Sequence, residues 1–175
     1  MLPVARTRDE AHLYMDLHGC PQCGAVEVTW AESLVDEDGV LGRRYHGPCD
    51  GCGLRREFVF ALPQRPTPPR PGARVTFGAS DDTSVLFDAG QWVEVADMMA
   101  LAAGLPEVTS DDADQWLATA TACFDEALKF LPPGAEVVPD TAFWSVPGRG
   151  LRERSPQRFR RADLEARRAE LSGRR

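Results

Sequence analysis

Two Cys-x-x-Cys turns constrain this chain more than any other feature of its 175 residues. They read Cys20-Pro21-Gln22-Cys23-Gly24 and Cys49-Asp50-Gly51-Cys52-Gly53. Two cysteines in one tight turn can direct both sulfurs at a single ion, and a second such turn supplies the other half of a tetrahedral set. The glycines fit this role, because glycine tolerates positive φ and lets backbone amides approach the thiolates. The sequence therefore predicts one Zn²⁺ ion, held by Cys20, Cys23, Cys49 and Cys52.

Four thiolates around zinc are typical of a structural site, because a catalytic zinc keeps one position for water or substrate. We therefore expect the metal to stabilise a small sheet that buries too little apolar surface to fold alone. His18 and His46 lie two and three residues from a cysteine. A histidine so placed is more often an outer hydrogen-bond donor or a surface residue, so neither is included among the predicted ligands.

Alternation of apolar and polar residues around the turns predicts three short strands. They are expected at 26–30, 40–46 and 55–62, with a turn at 36–39 between the first two. Three antiparallel strands capped by a metal resemble the zinc-ribbon family, and the likeness covers about residues 18–62. It rests on the four cysteines and on Gly24, Gly51 and Gly53.

Zinc ribbons occur in transcription factors, ribosomal proteins, RNA polymerase subunits and non-enzymatic adaptor modules. The resemblance therefore implies a fold and a structural metal, and it leaves the function open.

Most of the remaining chain is predicted to be helical. Thr7 and Glu10 have capping-box spacing before a helix expected at 8–17. The stretch 63–74 is expected to be an extended linker, because it holds five prolines. A short strand is expected at 75–77.

Two amphipathic helices follow the linker in the prediction. The first is expected at 89–103 after an Asp88 cap, and the second at 110–131. The stretch 137–150 is expected to be irregular and anchored by Phe143 and Trp144.

A further helix is predicted at 155–171, with a thin apolar stripe surrounded by arginines. The stripe consists of Phe159, Ala162, Ala166 and Ala169. The predicted fold class is α+β, a helix and a three-stranded zinc ribbon followed by a mainly α-helical region. The predicted parts are 1–62 for helix and ribbon, 63–74 for the linker, 75–150 for an acidic helical domain and 151–175 for an Arg-rich C-terminal helix.

The net charge of −7 is unevenly distributed along the chain. Residues 75–148 hold one Lys and thirteen Asp or Glu, whereas residues 149–175 hold ten Arg and four acids. We expect the Arg-rich end to fold back on the acidic region through Phe159, or else to contact a charged partner of its own.

The number of cysteines and the motifs absent from the sequence limit the compartment and the activities that we expect. The four turn cysteines leave Cys123 without a partner, which favours a reducing compartment, and we expect the cytoplasm. The N-terminal residues contain no apolar run, so neither a signal peptide nor a membrane segment is expected. No phosphate-binding glycine loop, Gly-x-Ser-x-Gly elbow or His-Glu-x-x-His helix occurs in the sequence. We therefore expect no enzymatic activity, and Cys123 is expected to be a small buried hydrophobe.

Two functions remain. The first is a non-enzymatic zinc-ribbon protein that binds a protein partner. A basic partner is expected, because an acidic surface speeds association with it. A small acidic chain with a ribbon and helices is similar to stand-alone bacterial proteins and, less specifically, to toxin-neutralising immunity proteins. An adaptor role or an immunity or inhibitor-like role is therefore expected. The alternative is a nucleic-acid-binding or transcription-associated protein that uses the Arg-rich helix. The ribbon itself, with four Arg and seven acids at 20–62, has the wrong charge for phosphate contacts.

Overall fold

A computed structural model describes residues 2–68, 70–79 and 81–174. It shows an N-terminal helix, a three-stranded antiparallel sheet and a mainly helical C-terminal region, which confirms the predicted α+β class. The chain divides into two compact units, and the first unit ends at Pro68. Among the described residues, no helix combines the length and the apolar character needed to cross a bilayer.

Helix α1 (Arg8–Asp16) begins the first unit where its capping residue predicts. The Thr7 hydroxyl accepts a hydrogen bond from the Glu10 amide at 3.1 Å. Such a cap satisfies one of the N–H groups that have no partner inside a helix. The buried apolar residues of α1 are Ala11, Leu13 and Met15.

The sheet contains β1 (Ala31–Glu37), β2 (Val40–Pro48) and β3 (Arg55–Ala61) in that order. The second and third strands lie where they were predicted. The first does not, because 26–30 contributes only an isolated bridge between Val28 and Cys49.

A two-residue hairpin sets the position of β1. Asp38 and Gly39 have φ of 54° and 80°, the positive values that a tight type I′ turn requires. The turn pairs Glu37 with Val40, and that register extends back to Ala31 opposite His46. The hairpin therefore places the first strand at the largely exposed segment Ala31–Glu37, although 26–30 has the clearer alternation of apolar and polar residues.

Aromatic rings form much of the core of the first unit. Tyr45 and Phe60 are 1% and 2% exposed, and their ring centroids lie 6.1 Å apart. Tyr14 of α1 meets Phe60 edge to face at 5.6 Å, which packs the helix on one face of the sheet. His12 lies off the expected apolar stripe of α1, which predicts an exposed ring, but it is half-buried, and its ring centroid lies 5.3 Å from that of Tyr45.

The second unit is built on helices α2 (Ala89–Ala102) and α3 (Ser110–Leu128), which pack against each other. Asp88 caps α2 as predicted, and α3, expected to start at Thr109 or Ser110, is capped by Thr109. The strand expected at 75–77 is absent, since 62–68 and 70–79 contain no helix or strand. Phe77 instead packs its ring against Trp92 of α2 at 5.0 Å.

Helix α3 is buried over more of its circumference than its apolar stripe predicts. Most of its expected stripe is buried, namely Leu117, Ala120, Phe124, Ala127 and Leu131, whereas Trp116 and Leu128 of that stripe are half-buried. Thr121 is buried as well. Cys123 is fully buried, as expected for a small hydrophobe, and burial raises the pKa of its thiol well above the usual value. The broad burial of α3 follows from its packing against both α2 and the C-terminal helix.

The region expected to be irregular at 137–150 contains a 3-10 turn (Asp140–Ala142) and the start of helix α4 (Val146–Arg154). Ser145 caps α4, and its side chain accepts from the Gly148 amide at 2.9 Å. Phe143 is buried as predicted, whereas Trp144 is 43% exposed and packs its ring on that of Phe130 at 5.9 Å.

The single helix predicted at 155–171 is interrupted. Pro156–Phe159 forms a 3-10 turn, Arg160 is extended, and α5 runs over Arg161–Ser172. The predicted stripe is wrong except for Phe159, because Ala162, Ala166 and Ala169 are exposed. The extended residue rotates the helix so that Leu164 and Leu171, two turns apart, are fully buried instead.

The Arg-rich end folds back on the acidic helices, as expected. Helix α5 packs on α3, and the Arg168 guanidinium donates to the carboxylate of Asp125. Arg158 donates to Asp97 of α2 at 2.6 Å. Burial of Leu164 supplies apolar surface that partly exposed ion pairs cannot replace.

Candidate metal centre

The first Cys-x-x-Cys turn lies between α1 and the sheet. The Cys20 amide donates to the Ala25 carbonyl at 2.8 Å, and the Gly24 amide donates back to the Cys20 carbonyl at 2.8 Å. Gly24 has φ of 78°, a conformation that glycine adopts without steric cost. These bonds close a compact loop around the two sulfurs of the turn.

The second turn repeats the first. The Cys49 amide donates to the Leu54 carbonyl at 2.9 Å, the Gly53 amide donates to the Cys49 carbonyl at 2.7 Å, and Gly53 has φ of 73°. Corresponding positions in the two turns therefore have the same hydrogen bonds and the same left-handed glycine. Two equivalent loops present their cysteines in equivalent ways.

The four cysteine sulfurs lie together, and each is within 4.8 Å of every other. The Sγ atoms of Cys20 and Cys52 are 3.6 Å apart, as are those of Cys23 and Cys49. A tetrahedral ion with metal–sulfur bonds of about 2.3 Å would space its sulfurs about 3.8 Å apart. The residues present therefore fit a tetrahedral metal ion, and the cluster could hold one.

Close approach of the sulfurs perturbs their acidity in opposite directions. Burial opposes ionisation of Cys20, but N–H groups of Gln22 and Cys23 donate to its sulfur and the pKa falls to about 6. The Ala25 amide favours the thiolate of Cys23, but the sulfurs of Cys52 and Cys49 outweigh it and the pKa rises to about 12. Four anionic sulfurs would repel one another in this space, and a cation among them would remove that conflict.

Gly51 lies against the sulfurs for a reason other than its dihedral angle. It does not have positive φ. A Cβ atom built on it would lie 3.1 Å from Cys23 Sγ and 3.0 Å from Ala25 Cβ. The absence of a side chain at Gly51 therefore lets the second turn approach the first.

Arg56 links the first turn to the third strand, a role that no sequence motif indicates. Its side chain is buried, and its guanidinium donates to the His18 carbonyl. The same guanidinium lies over the rings of Trp30 and Phe58, at 5.4 and 5.5 Å from their centroids. A buried cation satisfied in this way fixes the chain just before Cys20.

The two nearby histidines lie outside the sulfur cluster. The His18 ring stacks on Tyr14 at 4.0 Å, and its Nδ1 lies 2.6 Å from the Tyr14 carbonyl oxygen. His46 is half-buried in β2, opposite Ala31 and Glu57. Among the described residues, the four cysteines form the one group of three or more His, Cys, Asp and Glu side chains placed to hold a metal ion.

The four cysteines beside a three-stranded antiparallel sheet form an arrangement compatible with a zinc ribbon. A scan against protein-family models, a search of curated proteins and a search of solved structures each found no match to this chain.

Proposed function

We propose that Cys20, Cys23, Cys49 and Cys52 hold one structural Zn²⁺ ion. The observation that carries this proposal is the set of four sulfurs within 4.8 Å of one another. Thiolates are soft ligands that select zinc over magnesium or calcium, and four of them leave no position for water or substrate. The ion would stabilise the first unit and would supply no chemistry of its own.

Metal analysis of freshly purified, reduced protein tests this proposal. We expect one zinc per chain, and Cys49→Ser should lose the metal. The matched control is Cys123→Ala, which changes the one cysteine outside the cluster and should keep the zinc. Protein without zinc, or equal zinc in both variants, would show that the cluster does not bind the ion.

We further propose that the protein binds a protein partner and is not an enzyme. Support comes from an exposed apolar row in the second unit. Met98 and Leu101 of α2 are 44% and 75% exposed, and Leu105 in the following turn is 47% exposed. Met98 and Leu101 are three residues apart and so lie along one side of α2, and Leu105 follows just beyond the end of that helix. Apolar side chains grouped on a surface in this way are typical of contact sites.

The charge of the same region indicates what kind of partner would fit. Glu94 lies one turn before Met98 on the same side of α2. Residues 75–148 as a whole carry one Lys against thirteen acids. A basic partner with an apolar anchor would complement both properties, because opposite charges direct association while buried apolar area retains the complex.

The alternative, nucleic-acid binding through the Arg-rich end, has weaker support. Arg158 and Arg168 pair with carboxylates of other helices, and Arg161 donates to the Ala135 carbonyl at 2.9 Å. Phosphate contacts would have to compete with these intramolecular bonds.

Affinity capture with surface variants distinguishes the two functions. The bait is the full chain, compared with Leu101→Glu and with the control Leu34→Glu, which changes another exposed leucine (62%) in the first unit. We expect the full chain to capture a basic protein that stays bound after nuclease treatment. The Leu34→Glu control should capture the same protein, and Leu101→Glu should not. Loss on nuclease treatment would instead favour nucleic acid, and equal capture by both variants would reject the apolar row as the contact.

A further inference from the structure

A cavity of about 290 Å³ lies in the first unit, away from the cysteine turns. Its apolar walls come from the start of α1, from the inner sheet face and from the chain that follows β3. They are formed by Ala5, Ala11, Phe60, Leu62, Pro63 and Pro66. This volume lies near the lower end of cavities that hold small organic ligands, which begin at about 300 Å³.

The polar part of the lining is cationic. Arg6, Arg8 and Arg43 line the cavity, whereas the carboxylates that pair with them do not. Arg6 pairs with buried Glu10 at 2.7 Å.

Glu32 is the second of these carboxylates. It accepts from Arg8 and also from Arg43, the latter at 2.9 Å. Three guanidinium groups line the cavity, and Glu10 and Glu32 lie outside its lining. The cavity therefore offers cationic hydrogen-bond donors to whatever enters it.

Tyr45 adds a buried polar atom to the same cavity. The residue is 1% exposed and lines the cavity, and its hydroxyl has no hydrogen-bond partner of acceptable geometry among the described residues. Burial and the charge of Glu32 raise the pKa of this hydroxyl against the opposing effects of nearby Arg43 and Arg8, so it remains a donor at neutral pH. Arginine can only donate, so the buried O–H has no acceptor, and a ligand acceptor would remove the free-energy cost of leaving it unpaired.

We propose that this cavity binds a small organic acid with one carboxylate and an apolar body. Arg43 and Arg8 would donate to the carboxylate, because guanidinium geometry matches it. The Tyr45 hydroxyl would donate to a remaining lone pair. The apolar body would lie against Phe60 and the two prolines. A carboxylate on an apolar body matches both the cationic donors and the apolar walls, whereas inorganic phosphate has no apolar part to fill the walls.

Titration calorimetry on the full chain tests this, with 3-phenylpropionate as the probe. Its neutral amide, 3-phenylpropionamide, has the same shape and serves as the ligand control. We expect saturable binding of the acid and at least about tenfold weaker binding of the amide, because a charge-assisted hydrogen bond is lost. Equal affinities for acid and amide, or no saturation by about 10 mM acid, would overturn the proposal.

Two neighbouring arginines of β2 provide matched variants. Arg43→Gln removes a lining guanidinium, whereas Arg44→Gln changes a side chain on the opposite face of the same strand. Binding should weaken at least about tenfold in the first and less than about twofold in the second. Tyr45→Phe should also weaken binding, by about threefold or more. An unchanged affinity in Arg43→Gln would overturn the proposal.

Amide chemical shifts in the unmodified chain give a readout that needs no variant. Addition of 3-phenylpropionate should shift the amides of Arg8, Leu62 and Thr67, which line the cavity. The amides of Gly51 and Gly53 in the cysteine turn should not move. Shifts confined to residues outside the cavity would place the ligand elsewhere and reject the site.

Discussion

Substitution of Gly148 by alanine should destabilise the second unit, although Gly148 lies inside a helix. A Cβ atom there would lie 2.2 and 2.4 Å from the two carboxylate oxygens of Asp88. Real Cβ atoms do not approach oxygens this closely, so Asp88 or helix α4 would have to move. Asp88 is fully buried, and its surroundings leave it little freedom to do so.

The loss of stability can be calculated from the hydrogen bonds that the Asp88 carboxylate accepts. Its carboxylate accepts from the amides of Gln91 at 2.8 Å, Trp144 at 3.0 Å and Ser145 at 2.7 Å. Each hydrogen bond to a charged group contributes about 1.5–3 kcal/mol, so loss of two costs about 3–6 kcal/mol. Alanine is favoured over glycine in a helix by about 1 kcal/mol. We therefore expect Gly148→Ala to lower the free energy of unfolding by about 2–5 kcal/mol.

Gly150 in the same helix provides the control. A Cβ atom there would meet the Nη1 atom of Arg154 at 3.0 Å, the end of a flexible side chain that can rotate away. Gly150→Ala should therefore be neutral or stabilising by up to about 1 kcal/mol. Urea denaturation followed by far-ultraviolet circular dichroism reports mainly on the helices. Equal unfolding free energies for the two variants would refute the reasoning.

Phe124→Ala should lower the free energy of unfolding by about 3–5 kcal/mol, because Phe124 is 2% exposed, and a change below about 0.5 kcal/mol on denaturation would contradict its burial. Leu164→Ala should lower the free energy of unfolding by about 2–5 kcal/mol in the same assay, because Leu164 is fully buried. Ala162→Ser, at an exposed position, should change it by less than about 0.5 kcal/mol, and equal effects of the two variants would contradict the observed orientation of α5. Native Cys123 should resist iodoacetamide at neutral pH, because burial both shields the thiol and raises its pKa; mass spectrometry detects any labelling, and modification of the folded chain would contradict this.

Features written in consecutive residues could be predicted from the sequence. The caps at Thr7, Asp88 and Thr109 act on amides three residues ahead, and all three begin helices where expected. The candidate metal centre was equally local, because each half needs only two cysteines and a following glycine. Such interactions depend little on how distant parts of the chain pack.

Two elements were misplaced because tertiary contacts overrode a local pattern. The 26–30 segment alternates well, but β1 formed later in the sequence because the Asp38–Gly39 hairpin fixes its register. In the C-terminal region, one extended residue, Arg160, separates a 3-10 turn from α5. A helical wheel that treats Arg160 as helical assigns the wrong buried face to α5. It therefore predicts burial of three alanines in place of Leu164 and Leu171.

Contacts between residues far apart in the sequence could not be predicted, because they produce no local sequence pattern. Asp88 was predicted as the cap of α2, and that role is confirmed by its bond to Gln91. Its bonds to the amides of Trp144 and Ser145, 56 and 57 residues away, could not be predicted. Arg56 and Tyr45 likewise have roles set by neighbours that only the folded chain brings together.

The two units obtain their stability from different sources, and this bears on the role of the proposed metal. The second unit buries Trp92, Phe87, Phe124 and Phe159 almost completely, so it has an apolar core of its own. The first unit has one nine-residue helix and three short strands, and its two cysteine turns bring four sulfurs within 4.8 Å of one another beside the sheet. Without an ion, the four metal–sulfur bonds that would join the two turns are absent. Zinc removal is therefore expected to disrupt the first unit while the helices of the second remain folded.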